Sequence, residues 1–233
     1  MKCFHDGWRS KMKRTIMLLM VLGLGSGILL SQSINLKIGL FIPSLQSDLW
    51  KDNMRNLAFN KADMINAYFG AEYEVFLNRY TSFSMEIGSY TKKIYSQYKD
   101  YTYQDNSPIF QNISLRITPI EANIKLYPLG HRYAFSPYFG AGAGFYAWTY
   151  QQWGDFIIFP AGDIEDGFAE TKTYSFGFNG RAGLVFRFHP RVALAVEGKY
   201  QYLRGRLSGY FEGFDLLDLG GISATFGVNI YLR

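Results

Sequence analysis

Tyr174-Ser175-Phe176-Gly177-Phe178-Asn179-Gly180-Arg181-Ala182-Gly183-Leu184-Val185-Phe186-Arg187-Phe188 alternates from end to end. Tyr174, Phe176, Phe178, Gly180, Ala182, Leu184, Phe186 and Phe188 form one set, and Arg181 and Arg187 belong to the other. A two-residue period puts alternate side chains on opposite faces of a β-strand. Ordinary strands run to roughly five or six residues, and this stretch is far longer. A soluble sandwich could bury the phenylalanine face. A strand crossing a membrane requires such a face, because its outward side chains lie in hydrocarbon.

Aromatic residues make up 18% of the 233, with 20 Phe and 18 Tyr beside 24 Gly, a mixture that suits curved β-structure. The net charge of +5 would by itself suggest a nucleic-acid partner. Residues 1–33 read instead as a secretory signal peptide. Lys11, Lys13 and Arg14 precede the uncharged apolar run Ile16–Leu30, and Ser31-Gln32-Ser33 supplies small residues for cleavage after Ser33. The run is short for a membrane anchor. Met12 is a second candidate start. Without this leader the chain holds 19 Lys+Arg against 18 Asp+Glu, so the basic balance and the case for nucleic acid both fall away. Cys3 leaves too, and a cysteine-free chain fits an exported protein without disulfides.

Alternation recurs through residues 34–233. It predicts strands over about 34–42, 66–78, 81–92, 112–127, 136–148, 174–188, 191–203 and 218–232. In the fourth, Ile113, Leu115 and Ile117 fall one residue out of step with Ile120, Ala122, Ile124 and Leu126, which predicts a β-bulge at Thr118-Pro119. Connections at Asn78-Arg79-Tyr80, Pro128–Arg132 and His189-Pro190-Arg191 are short, whereas 43–65, 93–111, 149–172 and 204–217 are long. Short turns at one end and long loops at the other predict an all-β fold, an eight-stranded antiparallel up-and-down transmembrane β-barrel. A soluble lipocalin-like barrel is the alternative, but its apolar faces would point inward.

Three stretches carry a resemblance to a family: Thr118-Pro119-Ile120-Glu121-Ala122-Asn123 running on to Tyr127-Pro128, Pro137-Tyr138-Phe139-Gly140-Ala141-Gly142-Ala143-Gly144, and the C-terminal strand. Residues 34–233 resemble the small OmpA/OmpX/OmpW-type outer-membrane β-barrels. Thr225, Gly227, Ile230 and Leu232 resemble that family's assembly signal, although the family usually ends in an aromatic residue where this chain ends Leu232-Arg233. The resemblance implies the bacterial outer membrane as location. It implies as partners the membrane lipids, lipopolysaccharide and the outer-membrane assembly machinery, with a monomer in the membrane. It names no surface protein partner and no activity, because these barrels serve many roles.

With the apolar face toward lipid, the inward face collects Glu72, Glu74, Glu86, Glu121 and Glu197 with Lys37, Arg116, Lys125, Arg181, Arg187 and Lys199. Charges inside a narrow barrel are costly unless paired, and eight strands leave a lumen that side chains can fill. The expectation is an ion-pair network that plugs the barrel. Gly140, Gly142 and Gly144 share the inward face and leave room for bulky neighbours; a phosphate-cradling loop would need a strand-to-helix turn. His131 and His189 fall in short turns as solvated or headgroup-contacting residues, away from the long loops where a lipid-modifying enzyme would need its base. Catalytic, cofactor and metal sites are not expected, and the acids Asp163, Glu165 and Asp166 lack calcium-loop spacing. Tyr95, Tyr98, Tyr101 and Tyr103, with Trp148, Trp153 and Phe156–Phe159, either extend the strands past the membrane, rest at its interface or anchor a partner. Residues 49–62 are expected to form a short amphipathic helix. The functional reading is a structural or surface-interaction barrel. A narrow channel for small or hydrophobic solutes is second, with a tunnel at Phe156–Phe159 as its apolar variant, and a lipid-modifying enzyme is third.

Overall fold

The computed structural model describes residues 31–158 and 163–232. The leader before Ser31, with Cys3 and both candidate starts, lies outside the described residues, as do Phe159 and Arg233. The strands are β1 (Gln32–Pro43), β2 (Asn66–Phe76), β3 (Thr81–Thr102), β4 (Pro108–Leu126), β5 (Phe135–Ile158), β6 (Asp163–His189), β7 (Val192–Gly205), the stub β8 (Leu217–Asp218) and β9 (Gly221–Leu232). Each of β1 to β7 pairs antiparallel with the next, and β9 pairs with both β7 and β1. Eight strands therefore close a ring, and β8 merely extends from β7. Closure removes the free sheet edges that a bilayer would not tolerate. β1 begins at Gln32, and Gln32 and Ser33, the last residues of the expected leader, pair with Val75 and Glu74.

Two expectations are corrected. The ladder runs without a shift from Ile117 through Thr118 and Pro119 to Ile120 against β5, so there is no bulge at Thr118-Pro119. The register shift between β3 and β4 lies higher, between Gln97 and Thr102. The apolar residues change sides instead. Ile113, Leu115 and Ile117 point into the barrel and are buried, whereas Ile120, Ile124 and Leu126 point outward and are exposed. β3 does the same, with Phe83, Met85 and Ile87 outside and Tyr90 and Ile94 inside. In β5, Phe139 and Phe145 are outside, and Tyr146, Trp148 and Tyr150 are inside. Below this level the outward face must suit hydrocarbon. Above it the barrel wall stands in water and buries its apolar residues inward like a soluble protein.

The long connections are corrected on the same ground. β3 to β6 continue far beyond the apolar belt, and most of 93–111 and 149–172 is strand. Those segments read as loops because their outward residues are mixed, with Tyr95, Phe110 and Phe168 exposed among polar side chains. The β3–β4 turn closes at Tyr103–Ser107, where Tyr103 N–H donates to Ser107 O at 2.9 Å and the Asp105 carboxylate accepts from Ser107 N–H at 2.9 Å.

The loop after β1 forms helix α1 (Asp48–Asn56) and a 3₁₀ turn at Lys61–Met64, in place of one helix over 49–62. α1 turns Leu49, Trp50 and Asn53 inward and carries the pairs Lys51–Asp48 and Arg55–Asp52 on its exposed side. Trp50 donates its indole N–H to Asp218 O at 2.9 Å and meets the Tyr150 ring edge-on, with centroids 5.2 Å apart. The helix thus closes the outer mouth.

Candidate functional site

The lumen is filled at three levels. At the short-turn end Phe76, Tyr127, Tyr138, Val185, Ala193 and Ala195 form an aromatic-aliphatic cluster. His131 stacks on Phe76 at 4.2 Å, with Nδ1 3.0 Å from Arg79 O. This imidazole is buried rather than solvated, a correction to the turn-histidine expectation, and burial lowers its pKa from the ordinary histidine value. His189 is exposed at the same end, and its Nδ1 accepts from Arg191 N–H at 3.2 Å.

At mid-height sits a charge network. Glu72, Glu86 and Glu121 stand directly opposite one another on β2, β3 and β4. Arg181 and Lys199 are likewise opposite on β6 and β7. Like charges facing across a ladder repel, but ring closure sets the acidic wall against the basic one. Arg181 Nη1 lies 2.7 Å from Glu86 Oε2, and Nη2 lies 2.7 Å from Glu121 Oε2. Lys199 Nζ reaches Glu86 and Glu121, each at 3.1 Å. Lys37 Nζ on β1 sits among Glu72, Glu86 and Glu197 at 2.7, 2.9 and 2.9 Å. Lys125 Nζ joins Glu72 at 2.8 Å and Glu74 at 3.4 Å. All of these side chains are buried.

Tyrosines add hydrogen bonds to four of the five carboxylates. Tyr68, Tyr127, Tyr138 and Tyr146 donate to Glu86, Glu74, Glu197 and Glu121 at 2.8, 2.7, 2.7 and 2.6 Å. Asn179 Oδ1 accepts from Arg181 Nε at 3.1 Å, and Asn123 Oδ1 accepts from Nη2 at 2.9 Å. Sequence reasoning passes over these neutral partners. Their parity is a usable signal, since Tyr68 alternates in step with Glu72 and Glu74, and Asn123 and Tyr127 with Glu121 and Lys125.

Two expected members lie elsewhere. Arg116 is exposed on the outer face, because the unbroken register of β4 puts it on the opposite parity from Glu121. Arg187 does point inward, but near the short-turn mouth, where its guanidinium lies 3.9 Å from the Tyr231 ring and donates to His131 O at 3.1 Å. The inward glycines of β5 face this network: a Cβ at Gly140 would stand 3.0 Å from Arg181 Cγ, and one at Gly142 would collide with Asn123 Oδ1. Of the expected assembly signal, Thr225 is buried toward the lumen, whereas Ile230 and Leu232 face outward.

Above the charges lies an apolar plug, of which the sequence reading places Ile113, Leu115 and Ile117 in lipid. Phe41, Trp50, Tyr90, Ile113, Leu115, Ile117, Trp148 and Tyr150 are among its buried members. Over it a blind cavity of about 600 Å³ opens outward, lined by Leu49, Leu57, Tyr98, Phe156, Phe168 and Phe214 among others. Its floor carries Asn53 and Gln152, which both donate to the Tyr150 hydroxyl, at 2.7 and 2.6 Å. Phe156 and Ile157 thus line a pocket closed beneath by Tyr150 and Trp50 rather than a tunnel.

No family model matches the chain, and no curated protein does. Among solved structures it is similar to the outer membrane protein OprG from Pseudomonas aeruginosa, with a TM-score of 0.56 at 12% identity over 87% of this chain and 96% of that one. A major outer membrane protein from Thermus thermophilus gives 0.48 at 10% identity, covering 87% and 99%. The attachment invasion locus protein Ail of Yersinia pestis gives 0.45 at 13%, covering 87% and 98%. The likeness to OprG shows the fold, that of the small bacterial outer-membrane β-barrels, and the outward apolar belt of this chain suits that membrane.

Proposed function

We propose that this protein is a plugged outer-membrane barrel with a structural or surface-interaction role and no enzymatic one, working as a monomer after loss of the leader 1–33. One observation carries the reading. The lumen is filled by the aromatic cluster, the ion-pair network and the apolar plug in succession, with α1 over the mouth. The tall sheet of β3 to β6 and the cavity over the plug then present a surface outside the bilayer. Insertion by the outer-membrane assembly machinery through Thr225, Gly227, Ile230 and Leu232 belongs to the same proposal.

Single-barrel recordings in a planar bilayer test it. Wild type should give no steady current, and Arg181→Ala should give none either, because the apolar plug remains. A large steady conductance from wild type would overturn the plug in favour of the narrow channel. A current opened only by Arg181→Ala would make the network a gate.

A further inference from the structure

The charges outside the lumen are distributed unevenly. Among the described residues every such Asp and Glu lies within 48–63, 100–105, 155–170 or 212–218, all at the long-loop end. The short-turn rim carries Arg79, Arg132 and Arg191, all exposed, and no carboxylate among the described residues. Outer-membrane barrels turn their short connections to the periplasm, so this basic rim meets the inner leaflet.

One of these arginines is held in place. Arg79 Nη2 donates to the Tyr133 hydroxyl at 2.6 Å. Its guanidinium carbon lies 5.3 Å from the Tyr133 ring centre and 5.5 Å from that of Tyr80. Gly130, at φ +89°, makes room for it, since a Cβ there would stand 3.0 Å from Arg79 Cγ and Nε. Tyr80, Tyr133 and the neighbouring Leu77, Leu129 and Phe135 are exposed. The result is an ordered fork with donors to spare, between two rings of the kind that settle at headgroup depth, above side chains suited to acyl chains.

We propose that the Arg79–Tyr80–Tyr133 cluster binds the phosphate of an anionic phospholipid in the periplasmic leaflet. An arginine fork matches phosphate oxygens two at a time. The absence of carboxylates from this rim leaves its positive charge uncompensated by the described residues. Free phosphate would satisfy the same fork, but the exposed apolar residues beside it favour a phosphate that carries acyl chains. A headgroup with its own amine would be repelled by the neighbouring arginines, which favours phosphatidylglycerol over phosphatidylethanolamine. The site is independent of whether the lumen conducts.

Native mass spectrometry of the full barrel, released from bilayers containing both lipids, reads the outcome. Wild type should retain phosphatidylglycerol in preference. Arg79→Gln should lower that retention about fivefold, the effect of one basic side chain near an anionic surface. Arg204→Gln is the control. Arg204 also lies over a tyrosine, 5.5 Å from the Tyr202 ring centre, but at the outer end opposite Asp218. Its loss should leave retention unchanged. Tyr133→Phe keeps the ring, removes the acceptor that positions the fork, and should lower retention by less, which gives a second reading if Arg79→Gln folds poorly. Equal retention by wild type and Arg79→Gln, or equal loss in the control, would overturn the proposal. So would displacement of the lipid by millimolar inorganic phosphate, or preferential retention of soluble peptidoglycan fragments.

Discussion

Arg181 uses all three guanidinium nitrogens inside the barrel, on Glu86, Glu121 and Asn179. Removing one partner from a buried ion pair leaves the others charged and unsolvated, at about 3–5 kcal/mol. Arg181→Ala should therefore lose stability on that scale. Arg116→Gln, on an exposed site, should change it by less than about 0.5 kcal/mol. Urea unfolding in lipid vesicles, followed by tryptophan fluorescence, compares the two, and equal losses would contradict the placement of Arg116 outside. Both arginines occur in alternating strands and look alike in the sequence. What separates them is parity relative to an uninterrupted register. Pro119 obscures that parity for any reading in which apolar residues face lipid along the whole strand.

Strands β4 and β5 carry the same lesson for elements. Their membrane-level halves are legible from Ile120, Ile124, Phe139 and Phe145. Their upper halves are not, since Leu115 and Trp148 turn inward where the surroundings change from lipid to water. β5 contributes no charge to the network but leaves space for it. A side chain at Gly142 would enter the position of Asn123 Oδ1, whose partners include Arg181. Overpacking costs typically about 1–3 kcal/mol, occasionally more, and leucine adds further carbons beyond Cβ. Gly142→Leu should impair assembly, seen as loss of heat-modifiable migration on a gel. Normal migration would argue that the β4–β5 wall yields more easily than its backbone contacts suggest. Short turns are the most legible elements, because local chemistry suffices: the Asn78 side chain accepts from Tyr80 and Thr81 N–H at 2.8 and 2.9 Å.

At the scale of the whole molecule, β3, β4 and β5 carry apolar residues outward in the belt and bury others inward above it. The absence of cysteine after Cys3 makes this testable with single-cysteine variants. On intact cells a membrane-impermeant maleimide should label Arg116→Cys and leave Leu115→Cys unreacted until the barrel is unfolded, since Leu115 is 0% exposed. Comparable labelling of both would deny the inversion. The alternating pattern by itself determined the eight-stranded membrane barrel, the end bearing the short turns, and most of the inward charges. These properties follow from a period of two, which is local to each strand. Only the tertiary structure decided which charges meet, where the apolar plug lies and that α1 closes the mouth. Glu86 and Arg181 are distant in the chain, and each stands beside like charge on its own wall. Their pairing exists only once β7 and β9 have closed the ring, and no local pattern records that distance.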